Sequence, residues 1–292
     1  MAEPWRVLEL FSGLGGWRFA LEDRGEVVAA CDISPAANAA YQCNHGDAPL
    51  AREIARVPAG AFRAFGADTW LLSPPCQPFC RMGNRRGLED ARSQAFLHLM
   101  EVILEAPPRR LVLENVQGFL DSPAHDLLRD RLDRIGLQRR DQMLCPSMFG
   151  IPNQRPRLFV VAGPGPIAPE PPPSLPAESL AGYLDPEEDP ALYLDPAQLA
   201  RHRPGLDLVT AQSRRSACFI GGYGQRFVGS GSFLETERGV RRFSPAEIAR
   251  LLGFPARFRF PPQVTLEQRY RLLGNSLSLP TARWALGRLR HP

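Results

Sequence analysis

The chain has 292 residues, 44% hydrophobic and 23% charged, enough apolar content for one large domain or two small ones. All 35 basic residues are arginine, which excludes mechanisms built on a lysine Schiff base or a phosphate-loop lysine. A net charge of +4 is weak evidence for a nucleic-acid partner, and the Arg, Pro, Gly and Ala bias reads mainly as compositional drift.

From residue 5 to about 162, short β-rich apolar runs alternate with amphipathic stretches, the pattern of βαβ units around a parallel sheet. Strands are expected at 7–10, 27–31, 69–73, 111–114 and 158–162, and helices at 17–23, 35–43, 91–104 and 124–135. Residues 163–204 hold 11 of the 30 prolines and an acidic run at 185–190, and read as a linker or loosely built insert. Gly and Arg dominate 205–240, which suggests turns and short strands on an exposed surface. Helical spacing returns at 245–252 and 277–289. The six cysteines follow no charged-then-apolar export segment, so a reduced, cytoplasmic setting is expected. No apolar run approaches the roughly 18 residues of a membrane span.

Five segments carry chemistry. Leu10-Phe11-Ser12-Gly13-Leu14-Gly15-Gly16 follows a strand and opens a helix, so its glycines let the backbone approach a ligand. The spacing differs from the dinucleotide fingerprint and favours a nucleoside ligand without a pyrophosphate. Asp32 ends the next strand, where a carboxylate can accept both hydroxyls of a ribose; helix capping is the alternative. Ser73-Pro74-Pro75-Cys76-Gln77-Pro78-Phe79-Cys80 sits at a strand's C-terminal end, and the prolines present Cys76 stiffly. Cys76 and Cys80 lack a second close Cys/His pair, so no metal site is expected. Glu114 closes an apolar strand. Arg155 and Arg157 lie two apart at a strand's mouth, so both guanidiniums could face one site. Finally Gly274-Asn275-Ser276 forms a turn opening the last helix, with capping by Asn275 or Ser276 as the alternative reading.

Taken in order, Phe-Ser-Gly-Leu-Gly-Gly, Pro-Pro-Cys-Gln-Pro, Glu-Asn-Val, Arg-x-Arg and Gly-Asn-Ser resemble the motif series of the cytosine-C5 methyltransferases, over residues 7–280. The resemblance implies an α/β fold: a Rossmann-like S-adenosylmethionine-dependent catalytic domain with a small inserted target-recognition domain. The expected division is 1–162 catalytic, 163–240 linker and recognition, and 241–292 returning to the catalytic domain. It implies Cys76 as a thiolate adding to cytosine C6, so that C5 becomes able to attack a sulfonium methyl group. Glu114 would hold N3 and the exocyclic amine, and Arg157 with Arg155 would bind the base carbonyl or order the catalytic loop. By the same matching Phe11, Gly13, Leu14, Gly15, Gly16, Asp32, Ile33, Asn275 and Ser276 would surround the cofactor. Glu53 and Ile54 would flank the adenine, on a looser match.

The C-terminal third is similar to a narrower group, the type-two DNA methyltransferase homologues, through Cys218-Phe219-Ile220-Gly221-Gly222-Tyr223-Gly224, residues 247–255 and residues 268–276. That group methylates an anticodon-loop cytosine, position 38 in tRNA numbering, usually of tRNA-Asp. Ile220 and Cys80 depart from its common pattern. A tRNA partner is therefore expected, with duplex DNA as the alternative substrate and a non-catalytic nucleic-acid-binding relic as a third reading. No obligate protein partner is evident. An unpaired loop base lowers the cost of reaching a flipped-out cytosine, so a small recognition domain suffices. Arginines 81, 85, 86, 214, 215, 226, 241 and 242 are candidates for an exposed phosphate track.

Overall fold

A computed structural model describes residues 3–75, 93–167 and 169–289. The chain forms two compact units: Met1–Leu144, Pro156–Pro171 and Ala282–Pro292 make the first, Cys145–Arg155 and Pro172–Thr281 the second.

The first unit is a six-stranded sheet in the order β2-β1-β3-β4-β6-β5. Its strands are β1 (Trp5–Leu10), β2 (Gly25–Cys31), β3 (Thr69–Leu72), β4 (Arg110–Val116), β5 (Gln138–Leu144) and β6 (Arg157–Gly163). In the middle of the sheet β3, β4 and β6 are almost wholly buried. They therefore read as continuous apolar runs rather than alternating ones. Between strands come α1 (Gly16–Leu21), α2 (Pro35–His45), α3 (Ala59–Ala64), α4 (Gln94–Glu105) and α5 (Pro123–Arg134). Capping fixes the starts of α2 and α5: Ser34 accepts from the Ala37 N–H and Ser122 from the His125 N–H, each followed by a proline at the first helical position. On α4, Phe96, Leu99, Met100 and Ile103 follow helical spacing and are buried in one cluster with Leu8, Trp70, Leu111 and Val160.

Two expectations need correction here. The sheet is mixed, because β6 runs antiparallel to both β4 and β5. Apolar runs encode burial, and strand direction leaves no mark in them. Strand β5, Gln-Arg-Arg-Asp-Gln-Met-Leu, went unpredicted because an edge strand paired only to β6 keeps polar, half-exposed side chains. On either side of β1 the chain pairs with β2 and β3, both parallel to it. That reversal of strand order is a topological switch point, which opens a crevice beyond the C-terminal ends of these strands.

The second unit carries a three-stranded sheet of β7 (Asp207–Val209), β8 (Ser232–Thr236) and β9 (Gly239–Arg242). Its helices include α6 (Pro196–His202), α7 (Pro245–Leu251) and α8 (Leu266–Gly274), and α9 (Leu279–Leu286) begins in it. The proline-rich stretch is tied down rather than loose: Leu180 and Leu192 are buried, and the N–H groups of Leu180 and Ala181 donate to Ser213 and Ala211 carbonyls. Arg241 is buried and forms a two-pronged ion pair with fully buried Glu247, at 2.7 and 2.8 Å. Glu247 also accepts the backbone N–H groups of Asp185 and Ser244. Arg242 lies over the rings of Phe227, Phe233 and Tyr223, at 4.7, 5.0 and 5.4 Å from their centroids. The track of exposed arginines therefore loses Arg241, and Arg242 is committed to aromatic faces. Arg214, Arg215 and Arg226 are exposed, with Arg215 paired to Asp207. Arg81, Arg85 and Arg86 lie outside the described residues.

Candidate active site

The glycine turn leaves the C-terminal end of β1 with Phe11 at φ 55, a strained setting for a bulky side chain. Gly13 and Gly15 follow at φ 53 and 76. A Cβ on Gly15 would lie 2.3 Å from Nε2 of His45, so only glycine fits there. A Cβ on Gly13 would meet nothing nearer than the Phe11 carbonyl at 4.0 Å, so this backbone borders open space. Leu14 and Gly16 are buried. Asp32 follows β2 and grips the turn: Gly13 N–H donates to its Oδ2 and Ser34 N–H to its Oδ1, both at 2.8 Å. Burial pushes the Asp32 carboxyl up, opposed by the N–H groups of Ser34, Gly13 and Ile33. Each oxygen keeps acceptor capacity beyond these bonds. Ile33 next to it is 66% exposed, an apolar face open to a ligand ring. The hydroxyl of Ser12 is buried without a hydrogen-bond partner among the described residues. An open glycine backbone, a half-satisfied carboxylate, an exposed apolar side chain and an orphaned hydroxyl fit a nucleoside ligand.

Glu114 lies inside β4, which continues to Val116, rather than at its end. The antiparallel register pairs Glu114 with Phe159 and Val116 with Arg157, making Glu114 and Arg157 diagonal neighbours on one face. Their side chains form an ion pair, Arg157 Nε to Glu114 Oε1 at 3.3 Å, and both are largely buried. The next residue, Asn115, donates from Nδ2 to the Pro74 carbonyl at 3.1 Å, bracing the segment that runs from β3 into Cys76. Cys76 itself, with Cys80, lies outside the described residues.

The two arginines part company. Arg155 precedes β6 in irregular backbone, so the two-residue period of a strand does not hold between it and Arg157. Its buried guanidinium donates to the carbonyls of Phe219 at 3.0 Å, Gly274 at 2.9 Å and Ser276, all within the second unit. Around this clamp the chain crosses itself: a Cβ on Gly274 would lie 2.2 Å from the Gly221 nitrogen. Asn275 and Ser276 belong to this crossing, Asn275 as the residue that ends α8. Ile54 is buried in the core cluster of the first unit, and the carboxylate of Glu53 pairs with Arg56 at 2.8 Å.

Glu9 escaped the sequence reading. It is fully buried within β1, accepts the Trp17 N–H at 3.2 Å and the Tyr41 hydroxyl at 3.0 Å, and burial pushes its carboxyl up to about 8. A lone acid inside the apolar run Val7-Leu8-Glu9-Leu10 was the available signal.

The architecture and these motifs define the class. A family model described as C-5 cytosine-specific DNA methylase matches residues 5–175 and 207–290, and the chain belongs to that family. A tRNA (cytosine(38)-C(5))-methyltransferase of Schizosaccharomyces pombe is 34% identical over 320 residues, covering 98% of this chain and 97% of its own. The human protein of the same name is 32% identical over 378 residues, covering 95% of this chain and 97% of its own. The crystal structure of the S. pombe Dnmt2 methyltransferase superposes with a TM-score of 0.87 at 32% identity, over 97% of both chains. Membership makes the chain a cytosine-C5 methyltransferase that requires a methyl donor. Among the described residues no helix is long and apolar enough to cross a membrane.

Proposed function

We propose that this enzyme transfers a methyl group from S-adenosylmethionine to C5 of a cytosine in tRNA, at anticodon-loop position 38 of tRNA-Asp or a related tRNA. The observation that carries the reading is the Glu114–Arg157 pair on β4 and β6, in a chain that matches enzymes named for this tRNA reaction over nearly its whole length.

Asp32, Ile33, Ser12 and the Gly13 backbone would hold the donor, with Phe11, Leu14, Gly15 and Gly16 shaping the turn; Asn275 and Ser276 are assigned to the donor by their motif match alone. When bound, S-adenosylmethionine supplies an electrophilic methyl group on a sulfonium. Cys76, as the thiolate, adds to C6 of the cytosine, and Glu114 hydrogen-bonds N3 and the exocyclic amine as the ring gains electron density. Arg157 fixes the Glu114 carboxylate, and its positive charge would face the base carbonyl. After the methyl group arrives at C5, loss of the C5 proton lets the thiolate leave and restores the ring. Arg155 serves as a brace rather than a base contact, because its donors are committed to carbonyls. Recognition of the RNA falls to 163–240, and a reduced thiol suits a cytoplasmic setting.

The deciding experiment is transfer of labelled methyl groups to unfractionated tRNA against duplex DNA, followed by bisulfite sequencing of the RNA. Methylation of one anticodon-loop cytosine, abolished by Cys76→Ala with donor binding retained, is the expected result. Strong incorporation into DNA with none in tRNA would overturn the substrate, and full activity of Cys76→Ala the mechanism.

A further inference from the structure

One side chain in the first unit touches three parts of the candidate site. Trp17, the second residue of α1, is 1% exposed and sits two positions beyond Gly15. Its backbone N–H is held by Glu9, whose other carboxylate oxygen accepts from Tyr41 on α2. The indole Nε1–H donates to the Ser73 hydroxyl at 3.0 Å. Ser73 is the first residue beyond β3, and its own N–H reaches back to the Leu10 carbonyl at the end of β1. Across its ring, Trp17 meets Phe159 edge to face, with centroids 6.0 Å apart, and Phe159 is the register partner of Glu114.

We infer that Trp17 is a positioning residue, transmitting the placement of the glycine turn to the exit of β3 through its indole hydrogen bond to Ser73. The inference rests on the functional reading above and deepens it. Packing alone would be met by any large apolar ring, as the Phe159 contact illustrates. Only an indole placed in this way offers an N–H to Ser73, and a buried donor left without its acceptor is costly. The glycine turn and Ser73-Pro74-Pro75, the segment that leads to Cys76, are thereby joined by this side-chain bond in addition to the Ser73 N–H on the Leu10 carbonyl. Asn115, holding the Pro74 carbonyl, braces the same segment from β4. Misplacement of reacting groups by an ångström can cost up to about a hundredfold in rate, so a brace at this point acts on turnover more than on binding.

The test uses Trp17→Phe, Ser73→Ala, Ser73→Thr and the Trp17→Phe/Ser73→Ala double variant of the full chain. NMR of the indole N–H signals, with the Trp17 signal assigned by its loss in Trp17→Phe, gives a readout without turnover. Ser73→Ala should move that signal, Ser73→Thr should leave it near the wild-type position, and adding S-adenosylhomocysteine should shift it in the wild type. In methyl transfer, kcat should fall about tenfold in Trp17→Phe and in Ser73→Ala, with no further fall in the double variant. Calorimetric Kd for S-adenosylhomocysteine should stay within about twofold, and Ser73→Thr should restore the rate. Should Trp17→Phe fail to fold, the Ser73 pair still decides: one of the four indole signals should move in Ser73→Ala and return in Ser73→Thr, and none moving would overturn the inference. An indole signal indifferent to Ser73→Ala, or multiplicative losses in the double variant, would overturn the inference. Failure of the wild type to bind S-adenosylhomocysteine would instead overturn the functional reading on which it stands.

Discussion

The two units are held together by different physics. In the first, neighbouring strands bury aliphatic side chains against α4 and α5, and the buried polar groups are a few site residues, Glu9, Glu114 and Asn115, with structural pairs such as Arg110 on Asp68 and His125 on Asp141. In the second, short strands surround a small apolar interior, and buried guanidinium groups organise the chain: Arg241 with Glu247, Arg242 among aromatic rings, and Arg155 on backbone carbonyls. A sheet of apolar strands tolerates many sequences of the right pattern. A buried cation demands particular partners, and is left uncompensated when its counterion is removed.

The largest effect should come from splitting the buried pair. Glu247→Ala leaves Arg241 charged in the interior of the second unit and should cost about 3–5 kcal/mol in denaturant unfolding. Replacing both partners together, Arg241→Met with Glu247→Leu, should recover most of that loss; a double variant as unstable as the single one would show that the backbone bonds of Glu247 matter more than its charge. In the first unit, Leu111→Ala removes a wholly buried side chain and should cost about 3 kcal/mol, without the possibility of rescue by a charge change elsewhere. Unfolding that proceeds in two steps, with Glu247→Ala moving one and Leu111→Ala the other, would sharpen the contrast between the units.

Glu9 supplies a third, pH-dependent handle. Its carboxyl titrates near 8 in the folded protein against 4.5 when free, so the native state binds the extra proton between these values. Stability then falls as pH rises from about 4.5 to 8, the reverse of an ordinary salt-bridged acid, by on the order of 5 kcal/mol. Glu9→Gln should flatten that slope in a series of melts, and an unchanged slope would assign it to another group. At the small end, Arg203→Ala breaks an exposed pair with Glu235 and should change stability by less than about 1 kcal/mol.

Much of the first unit was legible because burial patterning and motif position are local properties. The runs at 7–10, 27–31, 69–73, 111–114 and 158–162 all lie on or against observed strands. The glycine turn, Asp32 and Ser73 follow the C-terminal ends of β1, β2 and β3, and Glu114 lies near the end of β4, beside Arg157 at the start of antiparallel β6. What stayed hidden depends on partners distant in sequence. Nothing near Arg155 points to carbonyls more than sixty residues away, and nothing near Glu247 points to the Asp185 N–H it accepts from sixty-two residues earlier. Arginine looks solvent-loving in isolation, so a track of exposed cations was the natural expectation for a residue that here serves as interior scaffold. Strand β5 was missed for the opposite reason, its polar character suiting an edge.

The first unit is discontinuous: its sheet is laid down by residue 163, but the segment from Ala282 onward also belongs to it. During synthesis, therefore, the ribosome must deliver the whole intervening second unit before the catalytic frame can be closed. A nascent chain halted short of residue 282 would already carry the glycine turn and Asp32 and still lack the last segment of the unit to which they belong.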